Sequence, residues 1–408
     1  MTAIAGQSAG RIPVWTIGTP RLLAGLDRTA RVDLALHHDL HGSLPRIDRS
    51  GLQDLTEAVG LRGRGGAGFP VSAKLASLPR RTYAVVVNGS ESEPASHKDR
   101  ALLTGVPHLV LDGAVATATA VGARLAVVAV HDPDAAASVQ AALAERTDPV
   151  RIELAMTPGE FVGGEARALL RGLSGGPALP PGRRVLPSHS GLASRPTFLS
   201  NAETFAQIAI LVRYGAHRYA ETGLPAEPGT QLLTVSGLVA RPGVLETPVG
   251  VPLDVVLRAA GAVPGPILLG GYHGRWLTGP NHLSLSRLAG PLPVAAGVVV
   301  ALGEETCPLG ETYRVAQWLT ARSAGQCGPC VFGLPAVTEQ LGRVLRGEPA
   351  DVRRPLSMVR GACAHPDGAV RFVGSALDAF ADDIHAHRTG GCRRAVTGVL
   401  PIGAESWH

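Results

Sequence analysis

Two short β-branched runs constrain the fold of this chain more than any other feature. TYAVVVNGS (82–90) and RLAVVAVHD (124–132) are apolar through their centres, and each reads as a strand buried on both faces. Helical patterns follow them, LVLDGAVATATAVGA (109–123) and AAASVQAALAE (135–145). This alternation predicts an α/β domain with parallel strands. Ahead of it, LQDLTEAVGL (52–61) has helical spacing and runs straight into a glycine loop, RGRGGAGFP (62–70). Residues 172–197, rich in Gly, Pro and Ser, read as loop, with a helix from Ala202 to about Tyr214.

The pattern changes at Gly229. QLLTVSGLV, GVLETPVG and PILLGGYH are short strands with turn signals, and VPLDVVLRAAGA (251–262) is a helix between them. Beyond Gly303 the spacing is helical. The expected domains are therefore an α/β domain over 1–228, a small α+β module over 229–303 and a helical domain over 304–408.

Composition removes several classes. Hydrophobic residues make up 45%, enough for a substantial core, so the chain is not a disordered tail. The net charge is only +5 and aromatics are 4%, with no basic block interleaved by aromatics, so no nucleic-acid binding is expected. Only two of the basic residues are lysines, Lys74 and Lys98. All five cysteines fall in the last quarter: Cys307, Cys327, Cys330, Cys363 and Cys392. That clustering suits a metal or redox site in a reducing compartment, not a disulfide scaffold. Without a leader-like apolar run or a bilayer-length segment, the expectation is a cytoplasmic protein with no span of its own, able to dock on a membrane partner.

Three motifs carry chemistry. The loop Gly63-Arg64-Gly65-Gly66-Ala67-Gly68 lets backbone N–H groups approach an anion. A dinucleotide-binding βαβ fingerprint needs a strand before the glycines and a helix after. Here a helix precedes and a strand is expected to follow, so that reading fails on order and a plain surface turn competes. The second motif is NGSESEPASHKDR (88–100), at the carboxyl end of the first strand, where open α/β sheets bind ligands. Its rival reading is a solvated charge cluster. The third is Cys327-Gly-Pro-Cys330, for which dithiol exchange, a structural zinc site with Cys363 and either His365 or Cys392, and an iron–sulfur site compete.

Taken together, GLRGRGGAGFP (60–70) and NGSESEPASHKDR (88–100) resemble the flavin-binding 51-kDa subunit of respiratory complex I. The likeness continues through GEFVGGEARALLRGLSG (159–175), GLASRPTFLSNAETFAQIA (191–209), SAGQCGPCVFG (323–333) and GACAHPDGAVRFVGSALDAF (361–380). It implies an FMN-binding α/β domain, a soluble-ligand-binding β-grasp domain and a helical iron–sulfur bundle. It also implies hydride transfer from NAD(P)H to FMN, then one-electron steps towards a [4Fe–4S] cluster. The partner would be a ferredoxin, an iron–sulfur subunit or a membrane haem protein.

Carried over by position, the resemblance assigns Gly63, Arg64, Gly65, Gly66, Ala67, Gly68, Phe69 and Lys74 to the flavin and nucleotide. Asn88, Ser90, Glu91, Glu93, Gly164, Glu165 and Asn201 join them, with Glu93 at the nicotinamide or ribose as the catalytic residue. Cys327, Cys330 and Cys363 become the iron ligands. Several positions depart from the family pattern. Ser90, Ala166 and Ser200 replace polar family residues, Leu78 and Leu186 replace two rings of the adenine clamp, and Ala324 replaces the first cluster cysteine. Ser323, Asp367, His365, Cys392 and, less favoured, Cys307 are the candidates for a fourth ligand. These losses keep a second reading open, a scaffold subunit of a redox complex that has lost turnover.

Overall fold

The computed structural model describes residues 11–182, 185–279, 282–288 and 296–402. The chain begins with β1 (Val14–Thr16), α1 (Leu34–His41), α2 (Arg49–Ala58), α3 (Val71–Ala76), β2 (Ala84–Gly89), α4 (Lys98–Gly105) and α5 (Pro107–Ala120). It continues with β3 (Leu125–Val130), α6 (Pro133–Ala144), β4 (Arg151–Met156), α7 (Ala166–Leu173), β5 (Thr197–Asn201) and α8 (Ala202–Tyr219). Next come β6 (Gly223–Leu224), β7 (Glu227–Pro228), β8 (Thr230–Gly237), β9 (Gly243–Pro248), α9 (Leu253–Ala260), β10 (Ile267–Leu269), β11 (Arg275–Leu277) and β12 (Val298–Ala301). The last helices are α10 (Pro308–Ala321), α11 (Leu334–Leu345), α12 (Arg353–Met358), α13 (Ala364–Ala379) and α14 (Ala381–Arg388).

The two β-branched runs are β2 and β3, paired in parallel. Their apolar continuity follows from burial on both faces. Val85 and Val87 pack with α5 and α8, while Ala84 and Val86 pack with Leu169 and Leu170 of α7. Helices α5 and α8 approach closely because residue 113 is glycine. A Cβ there would lie 1.9 Å from the Phe205 carbonyl oxygen.

The four-stranded sheet has order β4-β3-β2-β5, all parallel. The chain winds outward from β2 through β3 to β4, then returns to place β5 on the other side of β2. The gap beyond the carboxyl ends of β2 and β5 is therefore a topological switch point, with Asn88 and Asn201 in register across it.

Two elements at this gap differ from the sequence expectation. The short helix α3 stands between the glycine loop and β2, where a strand alone is expected. Strand β5 occupies the residues between the stretch read as loop, which ends at 197, and the helix expected from Ala202. Its five residues, TFLSN, are too few and too polar to signal a strand; they form one because β2 offers a paired edge.

A second, mixed sheet has order β1-β9-β8-β12-β10-β11. Its edge strand β1 comes from the N-terminal stretch and runs parallel to β9. One face packs on α9 through Leu253 and Val256, and the other, through Leu268, Tyr272 and Val300, joins the core of the C-terminal helices. That second face joins the sheet to the helices carrying the cysteines. No single helix among the described residues is long and apolar enough to cross a membrane.

Candidate functional site

The glycine loop closes on itself. Gly63 N–H donates to the Phe69 carbonyl at 2.9 Å, Gly68 N–H to that of Gly65 at 3.3 Å, and Arg62 pairs with Pro70. It rests on the end of β5, where a Cβ on Gly65 would lie 3.7 Å from that of Asn201. A Cβ on Gly66 or Gly68 would meet nothing within 4 Å, so this side of the loop faces open space. Phe69, where the loop closes against Gly63, is 50% exposed.

Arg64 does not share that face. Its side chain is buried, 3.9 Å from Glu203 and 3.5 Å from Glu227, while its backbone N–H donates to Thr204 Oγ1 at 2.8 Å. It anchors the loop from beneath.

Lys74, on α3, reaches back under the loop. Its Nζ donates to the Leu199 carbonyl at 3.1 Å and lies 3.8 Å from where a Gly63 Cβ would be. Among the described residues no carboxylate pairs with it, and burial alone lowers its pKa to about 8. On the next residue of β5, the buried Ser200 hydroxyl has no hydrogen-bond partner among the described residues. An unpaired half-buried ammonium, an orphaned hydroxyl and an open glycine loop fit a phosphorylated ligand at the switch point.

The segment after β2 is largely tied to its surroundings. Asn88 Nδ2 donates to the Gly164 carbonyl at 2.9 Å, and its Oδ1 accepts from Ser90 N–H at 3.1 Å. Ser90 Oγ accepts from Thr157 Oγ1 at 3.0 Å. Glu91 accepts from the backbone N–H groups of Asp99 and Arg100 and so caps the start of α4. Glu165 likewise caps α7, accepting from the N–H groups of Arg167 and Ala168. Gly164 packs too tightly for a side chain, since a Cβ would lie 2.3 Å from Ser92 Oγ. Asn201 caps α8, accepts from Lys98 Nζ at 3.0 Å and donates to Asp99 at 2.5 Å.

Below these residues lies an ionic cluster absent from the sequence-derived site. Lys98 Nζ is 2.8 Å from Asp99 and 3.2 Å from Glu203, all three buried. Glu203 also accepts from Leu232 N–H at 3.1 Å, linking the cluster to the second sheet. One signal for it was present in the sequence: in an arginine-rich chain, both lysines stand at this one crevice.

Glu93 points away from the glycine loop towards the second sheet. Its Oε2 accepts from Tyr272 N–H at 3.0 Å and its Oε1 from Ala95 N–H at 3.5 Å. Burial raises its pKa to about 7, against the pull of these two donors. It stands where the crevice meets the β10–β11 turn.

In the aromatic clamp, Phe69 and Leu186 are exposed, but Leu78 is buried in the main core. Leu78 thus offers no surface to a ligand.

Among the cysteines, Cys327 and Cys330 lie 3.8 Å apart, Sγ to Sγ, across the tight turn that opens α11. Cys363 caps α13 and lies within electrostatic reach of both. Backbone N–H groups of Ala362, Gly325 and His365 lie near the sulfurs of Cys327, Cys330 and Cys363 respectively and favour their thiolate forms. Three sulfurs beside backbone N–H groups at two helix starts form a cradle for an anionic metal–sulfur group. Ala324 leaves its fourth corner without a sulfur.

Three of the candidate replacements are excluded. His365 Nε2 donates to the Leu319 carbonyl at 2.9 Å, and its Nδ1 faces His273 Nε2 at 3.3 Å, so both ring nitrogens are engaged. Cys392 lies 4.0 Å from Cys307 at the start of α10. The loop holding Ala324 leaves the other end of that helix, whose 14 residues span about 21 Å. Cys307 is excluded by the same distance. Asp367, in the first turn of α13, lies within electrostatic reach of Cys327.

A crevice at a parallel-sheet switch point, joined through a second sheet to a cysteine-bearing helical bundle, suits a flavin and iron–sulfur electron-transfer protein. Comparison with known proteins is specific. Residues 56–210 match the Nuo51 FMN-binding domain, and residues 311–387 match the NADH-ubiquinone oxidoreductase-F iron–sulfur binding region. The NADH-quinone oxidoreductase F subunit of Mycobacterium tuberculosis is 31% identical over 377 residues, covering 81% of this chain and 83% of its own. The second such protein of Rhizobium meliloti is 29% identical over 371 residues, covering 82% and 88%. A crystal structure of an NAD+-reducing [NiFe]-hydrogenase superposes with a TM-score of 0.80 at 27% identity, covering 92% of this chain and 67% of that one. The chain belongs to the family of NADH-quinone oxidoreductase F subunits. It is an oxidoreductase component with an FMN-binding domain and an iron–sulfur binding region.

Proposed function

We propose that the chain takes electrons from a reduced nicotinamide dinucleotide at the β2–β5 crevice and delivers them to a separate redox protein. The observation that carries this reading is Lys74. It is a half-buried cation without a carboxylate partner, beside an open glycine loop and an exposed aromatic ring, all at the switch point.

Gly63, Gly65, Gly66, Ala67 and Gly68 supply backbone and a flat floor, with Arg64 holding the loop from below. Lys74 and the Ser200 hydroxyl hold phosphate, and Phe69 stacks on a base. Asn88, Ser90, Gly164 and Asn201 shape the flavin pocket, while Glu91 and Glu165 keep its walls in place by capping α4 and α7. Glu93 sits at the nicotinamide end. Bound FMN supplies the conversion between two-electron and one-electron transfer. Cys327, Cys330 and Cys363 hold the iron–sulfur group between the flavin and the partner. The partner is a ferredoxin, an iron–sulfur subunit or a membrane haem protein. A division at about residues 228 and 303, with β1 from the N-terminal stretch joining the second sheet, corresponds to these three tasks: ligand binding, a linking β-grasp sheet and an exit bundle.

The scaffold reading draws on two observations, the alanine at position 324 and the burial of Leu78. Purification under anaerobic conditions, followed by FMN addition and an NADH or NADPH titration watched in the visible, separates the two. Bound FMN that bleaches with dinucleotide supports the enzyme. A protein that stays colourless with added FMN supports the scaffold.

A further inference from the structure

Away from the crevice, Cys307, His387 and Cys392 bring one ligand atom each within 4.8 Å of one another. Cys307 Sγ lies 3.3 Å from His387 Nε2 and 4.0 Å from Cys392 Sγ. A tetrahedral ion with metal–sulfur bonds near 2.3 Å and a metal–nitrogen bond near 2.0–2.1 Å needs edges of about 3.8 Å between sulfurs and about 3.5 Å from sulfur to nitrogen. Both separations lie within a few tenths of an ångström of these edges.

The surroundings orient the donors. His387 Nδ1 lies 3.2 Å from the Leu345 carbonyl. A carbonyl only accepts, so Nδ1 carries the proton and Nε2 turns its lone pair to the sulfurs. Cys307 caps α10, and its sulfur accepts from Gly310 N–H at 3.3 Å, while burial raises its thiol pKa, so a bound ion must displace the proton. Arg394, paired with Asp383, stands nearby and adds positive charge.

We propose that Cys307, His387 and Cys392 form a zinc site separate from the iron–sulfur region. Two thiolates and an imidazole are the donor set of zinc, and binding releases the two thiol protons. Cys392 also lines a cavity of about 490 Å³ together with Glu305 and Arg393. The ion staples the C-terminal tail to the bundle. That tail already runs beside α10, with Cys307 N–H donating to the Ala395 carbonyl at 2.8 Å and Gly398 N–H to Glu311 at 2.6 Å. Its last described residues lie against the second sheet, where Tyr272 donates to the Pro401 carbonyl. Cys392 is half-buried and His387 sits at the end of a surface helix, so neither is needed to fill the core. Their convergence on buried Cys307 is accounted for by a shared ion.

The test is metal analysis of the full chain, purified reduced and anaerobically from zinc-supplemented cells. One zinc per chain is expected, retained in Cys327→Ser and lost in Cys392→Ser and His387→Gln with FMN content unchanged. Cobalt(II) added to the zinc-free protein should give thiolate charge-transfer and tetrahedral ligand-field bands that both latter variants lose. Because Cys392 and His387 are partly exposed, at least one of these variants should fold even if the Cys307 substitution does not. The proposal is overturned if reduced protein takes up neither metal. It also falls if zinc follows Cys327 instead of Cys392, or if thiol counting finds Cys307 and Cys392 joined as a disulfide.

Discussion

His365 and His273 meet ring to ring, Nδ1 to Nε2 at 3.3 Å, and the far nitrogen of His365 donates to the Leu319 carbonyl at 2.9 Å. The protonation pattern follows. His365 carries its proton on Nε2, and its Nδ1 accepts from His273. Burial lowers the pKa of both rings, His273 to about 3, so both are neutral. Phe161 packs edge-on against both rings and against Trp318, so the turn beside Gly164 is locked to the bundle.

His365→Gln should therefore leave iron content unchanged and lower the melting temperature, because one buried donor–acceptor pair is disturbed at a cost of about 1–3 kcal/mol. Iron analysis beside thermal unfolding checks this. A folded variant depleted of iron would make His365 a ligand.

Lys74 should set the upper pH limit of nucleotide binding. Its pKa of about 8 means the ammonium is lost well below the ordinary lysine range. A bound phosphate raises that value, so binding takes up protons near pH 8 and weakens above it. Lys74→Met should weaken dinucleotide or flavin binding by about ten- to a hundredfold, the worth of one charged hydrogen bond, and flatten the pH profile. Affinity measured from pH 7 to 9.5 in both proteins decides it; parallel profiles would remove Lys74 from the site.

Glu93 makes a stability prediction from a pKa shift in the opposite direction. Its pKa is raised from 4.5 to about 7, so the folded state holds a proton that the unfolded state releases first. Between those two values each rise in pH costs stability, and above the folded value the penalty is complete. Glu93→Gln keeps the acceptor for Tyr272 N–H without the charge. The variant should gain stability over the parent as pH rises from about 5 to 8, while KM for the dinucleotide increases. Urea unfolding at both pH values tests the first part; a constant difference would mean that Glu93 titrates normally.

The sequence made the parallel sheet, the glycine loop and the cysteine bundle legible because each depends on local pattern: β-branched runs, clustered glycines and paired cysteines at helix starts. What it concealed depends on partners distant in the chain. Strand β5 is a strand only because β2 lies beside it. Glu91 and Glu165 look like ligands in sequence but cap helices in space. Arg64 sits among glycines yet turns inward to Glu203 and Glu227, contacts 139 and 163 residues away. Cys392 looked available to the cluster until its place beside Cys307 put a helix length between them.

Lys98 should be more costly to lose than any residue lining the crevice. It is buried with Asp99 and Glu203, and its removal leaves Asp99 without its cation and Glu203 with only the more distant Arg64. Breaking such a buried pair costs about 3–5 kcal/mol. Lys98→Met should unfold at markedly lower denaturant and lose flavin, because Asn201 shares the same contacts. Adding Glu203→Gln should recover part of the loss. If the double variant is no more stable than the sum of its parts predicts, the three groups are not coupled.

The cysteine cradle yields the most direct prediction. Three sulfurs at Cys327, Cys330 and Cys363 leave one corner open, since Ala324 cannot ligate, His365 has no free nitrogen and Cys392 is about 20 Å away by the length of α10. An iron–sulfur group held by three thiolates exposes one edge to solvent or to an added ligand, and iron leaves most easily there. Ala324 lies half-buried in the loop before Cys327, and the backbone N–H of its neighbour Gly325 lies near Cys330, so the position is close to the cradle. Ala324→Cys, reconstituted anaerobically, should raise iron from about three or fewer atoms to about four per chain and slow bleaching in air. Cys392→Ala should change neither. Iron and acid-labile sulfide assays on the three proteins distinguish the outcomes. If Cys392→Ala empties the cradle, the tail must reach it in solution; if Ala324→Cys gains no iron, the fourth corner is closed by another group, and Asp367 is the residue to replace next.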